Sequence, residues 1–193
     1  MKYMHLQQAA YSVNDYVVEP LQPSHMPEIR RWRNEQMSVL RQSRPLTEAD
    51  QSHYYRSVVV PSFSDPETRI MLFGYSYVGE LIGYGGLTNI DWNNRRAEIS
   101  FLLETSRSDG HGQDPDQYRR DFSHFLLLMR RIAFKDLKLQ RLFTETYDIR
   151  PLHIQVLENS GFILEGRMRD HVRIGDRYVD SLIHGCLKET EDV

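Results

Sequence analysis

A chain of 193 residues, 40% apolar and 26% charged, is long enough to bury one substantial core, and none of its apolar runs approaches the roughly 20 residues that span a bilayer. A net charge of −3 gives no global attraction for nucleic acid, so small molecules are the expected ligands. The lone Cys186 excludes an internal disulfide. Eight histidines without paired spacing to cysteine or carboxylate predict no metal site.

Residues 1–14 are mixed polar and lack the apolar centre of a secretory signal. They read as a flexible arm ahead of a single domain over residues 15–193, in a protein that stays in the cytoplasm. A short strand over 16–21 precedes a helix opened by Pro27, with Ile29, Trp32, Met37 and Leu40 at helical spacing and Arg30, Arg31 and Arg33 facing outward. Thr47 followed by Asp50 resembles a capping box and opens a second helix, which runs to about Val58 and ends before Pro61. Its Tyr54 and Tyr55 are candidates to line a cleft. Segments 70–78 and 81–87 are rich in β-formers and separated by Gly79 and Glu80, the pattern of a tight hairpin.

After a polar turn, a strand over 97–103 leads into a long Gly, Ser, Asp and Pro-rich loop through Gln117. Phe122, Phe125, Leu126, Met129, Ile132 and Ala133 then mark an amphipathic helix over 118–136. A strand over 142–147, a helix from Pro151 to a stop at Gly161, and two strands over 162–172 and 178–187 complete the chain. This order predicts an α/β fold of the α+β kind, a mixed, largely antiparallel central sheet of about seven strands flanked by helices.

Most of the chemistry lies in residues 97–112, AEISFLLETSRSDGHG. An apolar strand running into consecutive backbone N–H donors can hold a phosphate-bearing ligand. Glu98 sits inside that strand, where an acid is disfavoured unless something uses it.

The element order, with RIAFKDLKLQRLF over 131–143, VLENSGFILEGRMRDHV over 156–172 and GDRYVDSLIHGCL over 175–187, resembles the GNAT superfamily of N-acetyltransferases. Within it, WRN at 32–34 and VLENSGF at 156–162 resemble the branches that acetylate ribosomal-protein N-termini and nucleotide-linked aminosugars. The resemblance implies acetyl-CoA as cosubstrate, in a splayed gap beside the strand 97–103, its pantetheine held by the backbone of Phe101, Leu102 and Leu103. It also implies a pyrophosphate loop, for which two registers are open. Arg107, Gly110 and Gly112 match the family's spelling; alternatively, Arg119, Arg120, Ser123 and His124 meet the phosphates from the start of the next helix.

By the same resemblance Glu98 stands where family members deprotonate the attacking amine, against a plainer reading as an outward acid paired with Arg95 or Arg96. Many members place a tyrosine where Leu157 stands, to protonate the departing thiolate. His153 and Tyr147 are the substitutes, set against a helix-surface histidine and a core tyrosine. Trp32, Arg33 and Asn34, with Arg41 and Arg44, would wall the acceptor site, unless Trp32 belongs to the core. Tyr178, with Arg173 and Arg177, would supply the opposite wall or a homodimer contact. The implied activity is acetyl transfer to a primary amine of a nucleotide-linked aminosugar or small amine. The rivals are a protein N-terminal acetyltransferase and a catalytically silent binding module that has lost CoA.

Overall fold

The computed structural model describes residues 1–108 and 114–189. Eight strands form one sheet: β1 (Tyr11–Val13), β2 (Tyr16–Pro20), β3 (Met71–Tyr77), β4 (Glu80–Asp91), β5 (Arg96–Leu103), β6 (Arg141–Tyr147), β7 (Ile163–Ile174) and β8 (Arg177–Leu187). Their order is β1-β2-β3-β4-β5-β6-β8-β7, antiparallel throughout except for β5 against β6. The helices are α1 (Met26–Glu35), α2 (Glu48–Tyr54), α3 (Val60–Ser62), α4 (Pro115–Arg131) and α5 (Pro151–Asn159).

The strand beyond the expected seven comes from the supposed arm. Residues 1–14 are docked rather than loose: Tyr3 and Leu6 are buried, the Tyr3 hydroxyl donates to the Leu72 carbonyl (2.9 Å) and accepts from its N–H (2.7 Å), and β1 pairs with β2. A tyrosine that buries its ring and also satisfies two backbone groups of β3 has every reason to stay put.

Other boundaries shift for local reasons. Thr47 and Asp50 do form a reciprocal cap at α2. The helix then widens into a π turn over Tyr55–Val59 and runs on through Pro61 into α3. Pro115 starts α4 before the apolar repeat begins, with the Asp114 side chain accepting from the Asp116 N–H. Gly161, at φ +85°, follows the end of α5 as expected.

The core lies between the sheet and the helices on its two faces. Ile29 and Trp32 of α1 are buried, and Phe125, Leu126, Met129 and Ile132 line the inner side of α4 and its π turn, each worth about 1.5–3 kcal/mol of burial. Among the described residues no helix is long and apolar enough to cross a membrane.

Candidate active site

The parallel ladder between β5 and β6 lasts three residue pairs, Arg96 with Arg141, Ala97 with Leu142 and Glu98 with Phe143. Beyond Glu98 the strands part. β6 continues against β8 alone and β5 against β4 alone. The Glu104 N–H donates to Ile82, so the antiparallel alternation turns the polar backbone groups of Ile99, Phe101 and Leu103 toward the gap and those of Leu102 toward β4.

A cleft of about 310 Å³ passes through this opening. Strand alternation splits its walls between the two faces of the sheet. Phe101, Phe122, Thr144 and His153 line it on the side of α4 and α5, while Arg33, Arg41, Asn89, Glu98, Glu145 and Tyr147 line it on the side of α1. A second, largely apolar cavity of about 350 Å³ lies under α1 and α2, lined by Leu21, Met26, Ile29, Leu72, Tyr54 and Tyr84. The two cavities share Arg33, Thr88 and Ser100.

Glu98 is only 7% exposed and faces the cleft. Its partners are neither Arg95, which donates to the Lys138 carbonyl, nor Arg96, which pairs with Asp91. Asn89 Nδ2 donates to Glu98 Oε2 (2.6 Å) and Arg41 Nη2 to Oε1 (2.8 Å); the same nitrogen also donates to Glu145 Oε2 (2.6 Å). Burial opposes the charge on Arg41, but the bond to Glu98 and the nearness of both acids hold its pKa above the ordinary value.

On the other face, Phe101 stacks on Phe122 and Phe122 on His153. His153 is buried, not a surface histidine. Burial, then Arg150 and His184, push its pKa well below the ordinary value, so the ring is neutral near pH 7. Arg150 Nη2 donates to the Tyr118 oxygen (3.2 Å), and the Tyr118 hydroxyl shares a hydrogen bond with His153 Nδ1 (2.6 Å). A neutral imidazole in this bond orients its neighbours and is a poor acid. Tyr147, buried at the end of β6, has its pKa raised mainly by burial, against the pull of Arg41, and keeps its proton. Thr144 carries a buried hydroxyl with no partner among the described residues.

The phosphate candidates fall in separate places. Arg107 turns inward: its Nε and Nη2 bond both oxygens of fully buried Asp121 (2.9 and 3.1 Å), and Asp121 also accepts from the Tyr16 hydroxyl (2.8 Å). Gly110 and Gly112 lie outside the described residues. Arg119 pairs with Asp116 and leans on Gln155 of α5, whereas His124 stacks on Tyr16 and bonds Asn14 at the opposite flank. Arg120 pairs loosely with Asp114 at 3.4 Å, and Ser123 is half-buried. The helix therefore spreads these four side chains instead of converging them. The Leu103 carbonyl is taken by buried Gln36 (2.8 Å) and the Ile99 N–H closes the ladder on Phe143, which leaves the Ile99 carbonyl and the backbone groups of Phe101 open on the gap.

Of the acceptor candidates, Arg33 stands between the two cavities, donating to the Tyr84 hydroxyl (2.6 Å) and to Gln42 (3.0 Å). Trp32 is a core residue, 2% exposed. Asn34 exchanges two bonds with the backbone of Leu46 and so fastens the loop after α1. Arg44 pairs with Asp50. Tyr178 is exposed on the β7–β8 hairpin and lines neither cavity. Among the described residues no cluster could hold a metal ion.

A family model, the acetyltransferase (GNAT) domain, matches residues 19–183. The spermidine N-acetyltransferase of Vibrio cholerae in complex with CoA and spermine is similar in fold, with a TM-score of 0.73 at 19% identity over 90% of this chain and 95% of that one. RimL, a ribosomal L7/L12 alpha-N-protein acetyltransferase in complex with CoA, gives a TM-score of 0.71 at 14% identity, covering 91% and 95%. No curated protein matches the chain. The through-sheet cleft is thus that of an acyltransferase. The chain belongs to the GNAT acetyltransferase family.

Proposed function

We propose that this chain transfers an acetyl group from acetyl-CoA to a compact primary amine, with Glu98 as the base. The observation that carries this reading is the cleft through the sheet with a buried carboxylate at its centre. Acetyl-CoA, when bound, supplies an acyl thioester as electrophile. The open backbone groups of Ile99 and Phe101 suit the amides of an extended pantetheine arm, and the Thr144 hydroxyl offers a further polar contact at the same level. These residues fit the cosubstrate. Arg119 and Arg120, at the start of α4, are the candidate cations for its phosphate end, and an anion there has to displace Asp116 and Asp114.

An alkylamine is an ammonium at neutral pH and cannot attack until a proton leaves. Glu98 takes that proton from the α1 side of the sheet. Tyr147, its phenol kept protonated by burial, is the candidate donor to the departing sulfur, and His153 holds Tyr118 and Phe122 in place beside the gap. Direct transfer between two ligands needs no enzyme nucleophile.

The second cavity supports an acceptor with an apolar body. Its one carboxylate, Asp50, is already held by Arg44 and by Thr47, so the further ammonium groups of a polyamine would meet no unpaired acid there. A protein N-terminus with an apolar first residue fits the same pair of cavities and is the second reading. Thiol release from acetyl-CoA is the test, run with phenethylamine, spermidine, a nucleotide-linked aminosugar and a peptide with a free apolar N-terminus. Phenethylamine or the peptide should be turned over best. No release with any of them, together with no heat of acetyl-CoA binding at millimolar concentration, would leave only a silent module.

A further inference from the structure

We propose that Arg41 is an internal stand-in for the acceptor's ammonium group, a specificity-determining side chain that the substrate must displace. The inference rests on Glu98 being the base. A single nitrogen of Arg41 lies between two carboxylates of the cleft, Glu98 and Glu145, and gives one N–H to each. A primary ammonium has the same charge and the donors to do the same. Asn89 occupies the other oxygen of Glu98. While a guanidinium, which does not surrender its protons, sits on this carboxylate, Glu98 cannot collect one from an amine.

The geometry allows the exchange. Glu98 and Glu145 have side chains only 9% and 16% exposed, whereas that of Arg41 is 55% exposed. The acids belong to strands and stay fixed, and the cation reaches in from solvent. Its backbone is tethered just beyond, because Gln42 bonds both Asn34 and Arg33. The movement required is therefore a swing of one long side chain and not the opening of a loop. His171 Nε2 also lies near the pair, 3.7 Å from Glu145 Oε1. The cleft also keeps the Thr144 hydroxyl buried without a partner among the described residues, open to a polar ligand.

The consequence is a filter. An acceptor must bring a cation able to outcompete Arg41 for both acids, and an uncharged amide or alcohol has nothing with which to do so. Arg41→Ala and Arg41→Lys test this, with phenethylamine as acceptor at saturating acetyl-CoA and methylguanidinium as a probe of the vacated place. For Arg41→Ala, KM for phenethylamine should fall about fivefold, equivalent to about 1 kcal/mol. Methylguanidinium should raise the melting temperature of this variant and not of the wild type. Adding Glu98→Gln to Arg41→Ala should abolish that rise, and Arg41→Lys should keep the wild-type KM. A KM that increases in Arg41→Ala would overturn the proposal in favour of an acceptor-holding arginine. A melting temperature indifferent to methylguanidinium would overturn it in favour of a purely structural ion pair. If the wild type releases no thiol with any amine, the acetyl-transfer reading fails; the methylguanidinium measurement still decides whether the two acids form a cation site.

Discussion

Replacing Arg107 with alanine separates a structural arginine from a phosphate-binding one. Asp121 is fully buried and receives two charged donors from Arg107 and one neutral donor from Tyr16. Removing the guanidinium leaves a buried carboxylate with the tyrosine alone, and breaking a buried pair in this way costs about 3–5 kcal/mol. In a domain of this size each kcal/mol lowers the melting temperature by about 2–4 °C, so the fall should be of order 10 °C. Urea unfolding at pH 7 gives the free energy directly. A companion variant supplies the control: Arg107→Met with Asp121→Leu and Tyr16→Phe removes every member of the cluster, and it should recover most of the loss, because an apolar replacement of a buried ion pair is often neutral or better. A loss under 1 kcal/mol for Arg107→Ala, coupled to a loss of acetyl-CoA affinity, would refute the reasoning and return Arg107 to the phosphates.

Other consequences are open to simpler assays. Glu98→Gln should lower kcat about 10²–10⁴-fold while calorimetry finds acetyl-CoA affinity unchanged; retained turnover would remove Glu98 from the reaction. His25, His153 and His184 all have pKa values below the ordinary 6.5, chiefly through burial. Their folded pKa values are depressed, so their contribution to stability is complete above pH 6.5 and is lost as the pH falls below it. The unfolding free energy from urea titration should therefore drop between pH 7 and pH 5, by at most about 1.4 kcal/mol per pH unit for each histidine, and a flat profile would contradict the burial of these rings. At Gly86, φ is +153° and an added Cβ would lie 2.0 Å from the Met71 carbonyl oxygen. Gly86→Ala should cost about 3 kcal/mol or more in the same assay, and a neutral result would mean that β3 and β4 yield more readily than their pairing suggests.

The order of elements was legible because it rests on local signals: the apolar repeat of α4, the Gly79 turn, the cap at Thr47 and the stop at Gly161 are each written within a few residues. Glu98 was legible for the same reason, as an acid inside a strand. Its partner was not, since Arg41 is distant in the chain and only folding brings it to the cleft. Arg107 is the converse case. Its loop has the local spelling of a phosphate site, yet Asp121 falls between Tyr118 and Phe122 on the buried face of α4, and an acid in that position demands a cation. Reading the helix for its misplaced charge would have found the pair. The N-terminal segment was misjudged because two anchoring residues, Tyr3 and Leu6, among polar neighbours make no periodic pattern. The parting of β5 from β6 has no local signature at all.

That parting divides the molecule into unequal lobes, β1 to β5 on one side and β6 to β8 on the other, stitched in the sheet by three residue pairs. An extended ligand backbone laid along Ile99 and Phe101 would act as a splint across the seam, supplying partners that β6 withholds. On the proposed reading, a bound ligand would therefore brace the seam as well as fill the cleft.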